Sequence, residues 1–168
     1  MSDKLDIRDI VVDHFRTLVS AKTEKRSLWD YVLFLGLPLI LACTLFQLDV
    51  ELSREAVAAM INALAIFAGL LLNLLMLLRG SAKAGVQDGL GALRRKVAEQ
   101  LYANIAYEIL VTLVALILFL WMAIQETART SEALRALGFF LVSHFLLTLF
   151  MVLKRVHRLM ADELSTGK

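Results

Sequence analysis

Four long apolar runs make up most of this 168-residue chain, and the charged residues lie almost entirely between them. The runs cover about residues 31–48, 56–78, 103–124 and 134–153. Each approaches the ~20 residues that a helix needs to cross the hydrocarbon core of a bilayer. Separate runs of this length can satisfy their backbone hydrogen bonds in lipid only as helices. The sequence therefore predicts an all-α membrane protein, with four transmembrane helices forming a single domain over residues 1–168.

The distribution of Lys and Arg predicts the orientation of the chain in the membrane. Fifteen of the 18 Lys and Arg residues lie before the first run, between the second and third, or after the fourth. Short segments rich in Lys and Arg stay on the cytoplasmic side of a membrane. Both termini and the 79–102 connection are therefore expected in the cytoplasm, while residues 49–55 and 125–131 face outward.

The polar residues form no recognisable enzyme or metal-binding motif. Cys43, the only cysteine, lies inside the first run, so the chain can form no internal disulfide. The sequence lacks a serine–histidine arrangement with an orienting acid, an HExxH motif, paired aspartates and a Cys/His cluster. We therefore predict no catalytic residue, no metal site and no cofactor, and we do not expect an enzyme.

Residues 1–28 are a charged lead-in before the first run, and within it residues 4–20 are predicted to form a cytoplasmic amphipathic helix. Its apolar side repeats at helical spacing and comprises Ile7, Ile10, Val11, His14, Phe15 and Leu18. Two interpretations stay open. The helix docks on the cytoplasmic end of its own bundle or oligomer, or it binds the membrane surface or another protein.

Proline and glycine predict the local shape of the helices. Pro38 lies in the middle of the first run and removes one helical hydrogen bond, which leaves the Phe34 carbonyl without its partner and predicts a kink. The kink is either a passive shape feature or a gating hinge. Glycines in residues 79–91 predict a turn with a short helix. Residues 92–102 contain no helix breaker and are predicted to continue into the third span as one helix.

The second span has a stripe of small and polar residues on an otherwise leucine-rich helix. Asn62 and Asn73 are eleven residues apart, about three turns, so they point the same way. Small residues let helices approach closely, and asparagines form hydrogen bonds across helices. The stripe is therefore either a packing interface or the lining of an aqueous path in an oligomer. It consists of Ala58, Asn62, Ala65, Gly69 and Asn73.

A second set of polar residues lies inside spans three and four. Asn104, Glu108 and Thr112 are spaced by four on one helix face, and His144 and Thr148 are one turn apart. Counting from the ends of the runs places His144 near the depth of Thr112, and Thr148 near that of Glu108. Because a short connection makes these spans antiparallel neighbours, we predict one intramembrane polar seam. It is a buried hydrogen-bond network, a proton- or ion-sensitive site, or an intramembrane catalytic pair.

With the basic residues Arg94, Arg95 and Lys96 of the inner connection, this architecture resembles the small four-span membrane effectors of bacterial antiphage defence, of the Hailong and Kiwa types. The shared features are cytoplasmic termini, an amphipathic lead-in over residues 7–18, four spans and basic inner loops. The resemblance implies a homo-oligomer in the bacterial inner membrane, with a tetramer as the first expectation. It also implies that a cytoplasmic protein or a nucleic-acid or nucleotide signal holds the assembly inactive, and that release permeabilises the membrane. Arg94, Arg95 and Lys96 would then contact the anionic signal.

These features lead to two classes of function. A single four-helix chain has a filled interior, so a pore requires several subunits around an axis, whose symmetry turns the stripe of the second span into a polar ring. The first hypothesis is such an ion-channel-like pore, gated by a cytoplasmic partner or an anionic ligand. The second is a non-conducting membrane anchor, scaffold or immunity-type protein that binds a partner. In that case the polar stripes are helix contacts, and the basic cluster only fixes the orientation.

Overall fold

The computed structural model describes residues 7–17, 32–87, 92–125 and 132–166, with the helix ends 79–87, 92–96 and 158–166 described by their backbone alone. Every regular element in these ranges is helical, as the sequence predicts. A π-helical turn, Val32–Gly36, leads directly into the second helix. The five α-helices are α1 (Arg8–Thr17), α2 (Leu37–Gln47), α3 (Arg54–Gln87), α4 (Ala92–Ile124) and α5 (Glu132–Thr166).

Three of the helices are long and apolar enough to cross a membrane. Their candidate spans are Arg54–Leu78 in α3, Val97–Ile124 in α4 and Glu132–His157 in α5. These spans contain the second, third and fourth apolar runs of the sequence. The first run forms the shorter apolar helix Val32–Gln47. The structure therefore confirms an all-helical chain with three candidate membrane-spanning helices.

The connection between α3 and α4 is shorter than predicted. Helix α3 continues through Gly80 and Gly85 to Gln87, so the turn predicted from residue 79 onward is wrong up to that point. A glycine inside a helix costs only about 1 kcal/mol relative to alanine, and the intervening residues include alanine and lysine, which favour helix. Residues 88–91 lie outside the described ranges. Helix α4 begins at Ala92 and continues without interruption through the third apolar run, as predicted.

Helix α4 is the central element of the bundle. It packs against α1, α3 and α5, while α2 packs against α5. The helices α4 and α5 approach closely at Gly138, where an added Cβ would lie 3.3 Å from Cζ of Phe119. The core is mainly apolar, and its buried residues from α4, α3 and α5 include Leu101, Ile105, Phe119, Met122, Leu64, Leu71, Phe145 and Val152.

A tight connection joins α2 to α3 and is fixed by one backbone conformation and two hydrogen bonds. Asp49 adopts a positive φ of 48°, a conformation that aspartate tolerates better than most residues. Its carboxylate accepts a hydrogen bond of 3.1 Å from Arg135 of α5. The hydroxyl of Ser53 accepts a hydrogen bond from the Ala56 N–H and so caps the start of α3. These contacts hold the ends of α2, α3 and α5 together at one face of the bundle.

The outer surface of the described bundle carries many large apolar side chains, which is compatible with lipid contact. Only 11% of the span window of α3 is buried inside the chain, compared with 39% for α4. Helix α3 is therefore the most exposed of the three long helices. Large apolar side chains that face outward from α2, α3, α4 and α5 include Ile40, Ile66, Leu70, Met76, Ile117, Phe150 and Leu153.

Candidate functional site: a buried polar network

Polar side chains fill part of the interior where α1, α4 and α5 meet. The structure places all five residues of the predicted polar seam in this interior, each with at most 3% of its surface exposed. They are Asn104, Glu108, Thr112, His144 and Thr148. The fully buried ring of His14 joins them from α1. The seam is therefore part of a larger network that also includes the short N-terminal helix.

Helix α1 is held against the bundle by hydrogen bonds to Asn104. The Nδ1 atom of His14 lies 2.9 Å from Oδ1 of Asn104, and the hydroxyl of Thr17 lies 2.7 Å from the same oxygen. At the end of α1, the Arg155 guanidinium donates to the Thr17 carbonyl at 2.9 Å. A cation at a helix C-terminus also interacts favourably with the helix dipole. The side chains of His14 and Thr17 are therefore enclosed by groups from α4 and α5.

Tyr107 connects the docked helix to the middle of the bundle. Its ring stacks on His14, with a centroid separation of 3.8 Å and an interplanar angle of 10°. Its hydroxyl lies 2.9 Å from Nε2 of His144. One side chain therefore contacts the histidine of α1 through its face and the histidine of α5 through its hydroxyl.

His144 satisfies the carbonyl that Pro38 leaves without a helical partner. Its Nδ1 atom lies 3.0 Å from the Phe34 carbonyl oxygen. A carbonyl can only accept, so Nδ1 carries the proton. In the neutral ring Nε2 is then an acceptor, and Tyr107 donates to it. The sequence predicted the unpaired Phe34 carbonyl, and the structure identifies His144 as its donor.

Glu108 is fully buried, and neither carboxyl oxygen has a hydrogen-bond partner among the described residues. Thr148 lies beside this carboxyl, as its predicted depth requires. The Thr148 hydroxyl, however, donates to the His144 carbonyl at 2.9 Å. Thr112 likewise donates to the Glu108 backbone carbonyl at 2.7 Å. Glu108 and His144 thus share one interior without a direct bond, because Tyr107 and Phe34 occupy both nitrogens of the imidazole.

The environment of His14 strongly favours its neutral form. Burial lowers the pKa of His14 from 6.5 to about 4, against the opposing effect of its hydrogen bond to Asn104. The positive charge of Arg155 and the nearby His144 lower this pKa further. Within the described part of the chain, Nε2 of His14 has no hydrogen-bond partner.

Sequence reasoning missed three side chains of this network: Thr17, Tyr107 and Arg155. Thr17 follows His14 by three residues, and Tyr107 precedes Glu108, so each adjoins a predicted residue. Arg155 belongs to the basic residues after the fourth run, which predict only the orientation of the chain. Of the predicted apolar face of α1, His14 is buried, but Ile7 is 51% exposed, and Leu18 lies outside the described residues.

The stripe of the second span lies on the surface of the chain. All five members are exposed, and they are Ala58, Asn62, Ala65, Gly69 and Asn73. The residues of α3 that are buried in its own bundle lie mainly on the opposite side and are Val57, Leu64, Ala68 and Leu71. The structure therefore does not bring this stripe together with the buried network.

The basic cluster lies near the start of α4. The backbone of Arg94, Arg95 and Lys96 is helical, and their side chains fall outside the described part of the structure. Among the residues whose side chains are described, no group of three or more His, Cys, Asp or Glu residues is arranged to hold a metal ion.

The described residues form a small helical bundle with three helices long and apolar enough to cross a membrane, an interior hydrogen-bond network and an exposed stripe of small and polar residues. Comparisons with protein families, with curated proteins and with solved structures find no match to the chain.

Proposed function

We propose that the chain assembles into a homo-oligomeric membrane pore in which the exposed face of α3 lines a polar path between subunits. One observation supports this most directly. The stripe of small and polar residues lies on the outer side of the least buried long helix, where a lone chain would present it to lipid. Neighbouring copies of the chain would cover it instead.

The two asparagines of the stripe provide the energetic argument. Asn62 and Asn73 lie within the candidate span of α3, and both are exposed. An amide that faces acyl chains lacks hydrogen-bond partners, and each unsatisfied polar group in hydrocarbon costs several kcal/mol. Their short side chains cannot reach the headgroups from the helix interior. An amide of a neighbouring subunit, or water in a path between subunits, would supply hydrogen-bond partners for both asparagines. Rotational symmetry would repeat the stripe as a ring.

Gly69 gives the stripe room for a close neighbour. A Cβ added at this glycine meets nothing within 4 Å in the chain, so the chain's own packing does not explain the missing side chain. Small residues at such positions allow helices from different subunits to approach closely. This geometry favours α3 as the helix that faces the oligomer axis or a subunit interface.

In the proposed topology Val32–Gln47 is a fourth span. Its five-residue turn and 11-residue helix extend about 24 Å at ~1.5 Å per residue, less than the ~30 Å of hydrocarbon. A short span can be accommodated by local thinning of the bilayer. Both termini then lie in the cytoplasm of a bacterium, and α1 lies at the inner surface of the inner membrane. Reporter fusions after Asp49 should read external, and fusions after Lys168 should read cytoplasmic.

The regulated part of the proposed pore is its cytoplasmic end, where α1 contacts α4. The basic cluster Arg94–Lys96 lies on the same end of α4, and we propose that it contacts an anionic ligand or a cytoplasmic protein. A tetramer that is held closed in this way and released by infection would serve as an effector of antiphage defence.

A non-conducting anchor or scaffold is the second candidate. The interior favours it, because the polar side chains of the seam are buried inside the described bundle, each with at most 3% of its surface exposed. In that case the stripe on α3 is a contact with a partner helix, and the ring that a pore needs does not form.

Planar-bilayer recordings of the purified oligomer distinguish the two functions. If the stripe lines a path, Asn73→Leu should reduce the current by creating a dry constriction, and Asn73→Asp should increase cation selectivity through a ring of charge. Leu70→Met is the matched control, since Leu70 is exposed on α3 outside the stripe and the change conserves volume. Absence of current from a well-folded oligomer under all conditions, with the proposed cytoplasmic regulator removed, would support the scaffold.

A further inference from the structure

We propose that α1 is a proton-released latch, in which neutral His14 docks the helix on α4 and protonated His14 frees it. The ring is fully buried between its own helix and the bundle, and it uses one nitrogen to bond Asn104. The inference concerns only the docking of α1, so it stands whether or not the chain conducts ions.

The surroundings of the second ring nitrogen favour a neutral ring in the docked state. Oδ1 of Asn104 accepts, so Nδ1 of His14 carries the proton. A second proton would have to enter at Nε2, which has no partner in the described structure. A buried N–H of a cationic ring without an acceptor is strongly unfavourable. Protonation of His14 is therefore compatible only with a ring that has left its pocket.

Burial and the groups of α5 oppose a positive charge on His14, whereas the hydrogen bond to Asn104 acts in the other direction. From α4, His14 faces Asn104 and the ring of Tyr107, with the Glu108 side chain one turn beyond Asn104. From α5 it faces His144 and the guanidinium of Arg155, both of which oppose a second positive charge at this position. The charged side chains of α1 itself, Arg8, Asp9, Asp13 and Arg16, lie on its exposed side.

The sign of the effect follows from the direction of the shift. Burial lowers the pKa of docked His14 to about 4, whereas a free histidine has a pKa of 6.5. Docking is therefore unaffected by pH above 6.5 and weakens as the pH falls from 6.5 towards 4. Within this window the docking equilibrium constant falls by up to about tenfold per pH unit.

A distance measurement tests the latch in the full chain. The labelled protein carries Val12→Cys and His157→Cys, two exposed positions on α1 and α5, in a Cys43→Ser background. Spin labels are attached at these two positions, and the protein is reconstituted in nanodiscs. We expect a narrow distance distribution at pH 7.5 and a growing long-distance population below pH 6.5. His14→Gln keeps a neutral donor for Asn104 and should stay docked throughout. An unchanged wild-type distribution down to pH 4 would overturn the proposal.

A second measurement uses wild-type protein, so it remains informative even if the His14 variant fails to dock at any pH. Nitrogen-15 NMR of histidine-labelled wild-type protein should show the His14 ring as the Nδ1–H tautomer at neutral pH. Its titration should fall well below 6.5 and coincide with the loss of docking. Titration of His14 near 6.5 would refute the latch. Release that still depends on pH in His14→Gln, but no longer does so in Glu108→Gln, would also refute it and would assign the switch to Glu108.

Discussion

The bond between His144 and the Phe34 carbonyl predicts a specific rescue. In His144→Phe the aromatic shape remains, but two buried groups lose their partners: the Phe34 carbonyl and the Tyr107 hydroxyl. Each buried unsatisfied group costs about 1–3 kcal/mol, so the variant should lose roughly 2–6 kcal/mol of stability. In Pro38→Ala the new N–H at position 38 can donate to the Phe34 carbonyl within the helix.

The double variant Pro38→Ala/His144→Phe should therefore leave only the Tyr107 hydroxyl unsatisfied. We expect a coupling free energy of about 1–3 kcal/mol between the two changes. Unfolding by denaturant in mild detergent measures the four corners of the cycle. The control is Tyr107→Phe combined with Pro38→Ala, which should be additive because the Tyr107 hydroxyl does not contact the Phe34 carbonyl. Additivity in the His144/Pro38 cycle would refute the proposed role of this histidine.

Three further predictions concern α1 and the stripe. Asn104→Leu removes the acceptor of His14 and Thr17, so hydrogen-exchange protection of the α1 amides should fall by roughly 30-fold, equivalent to about 2 kcal/mol; unchanged protection would contradict the docking geometry. The same exchange measurement, corrected for intrinsic rates, gives the free energy of α1 docking as a function of pH. Docking should be equally stable at all pH values above 6.5 and should weaken by up to about 3 kcal/mol as the pH falls to 4. Docking that weakens as the pH rises above 7 would contradict the predicted sign. Gly69→Leu should break the oligomer in cross-linking assays, while Leu70→Ala should leave it intact, and equal effects of both would remove α3 from the interface.

The all-helical fold class and the approximate ends of the helices could be predicted, because a long apolar run in lipid can satisfy its backbone hydrogen bonds only as a helix. The continuation of α4 from Ala92 followed from the absence of breakers. The extent of α3 could not be predicted as easily, since Gly80 and Gly85 tolerate both a turn and a helix. The neighbouring sequence and packing decide between them.

The residues of the buried network that could be predicted are those whose polarity is unusual for an apolar run, and the others could not be predicted. Glu108 and His144 are conspicuous inside apolar runs, so periodicity assigned them to one interior. Tyr107 and Thr17 resemble common interface and helix residues, and only the docking of α1 gives them a role. The partner of the Phe34 carbonyl lies 110 positions away in the chain, a separation about which local sequence patterns contain no information.

Cysteine accessibility tests most directly the central claim that the stripe of α3 faces water between subunits. In a Cys43→Ser background, Asn62→Cys, Asn73→Cys and Leu70→Cys would be treated with a charged, water-soluble thiol reagent during ion-flux measurements on proteoliposomes. The proposed pore predicts rapid modification and loss of flux at positions 62 and 73, with position 70 protected by lipid. Modification of position 70 at the same rate, or protection of all three positions in a conducting oligomer, would contradict it.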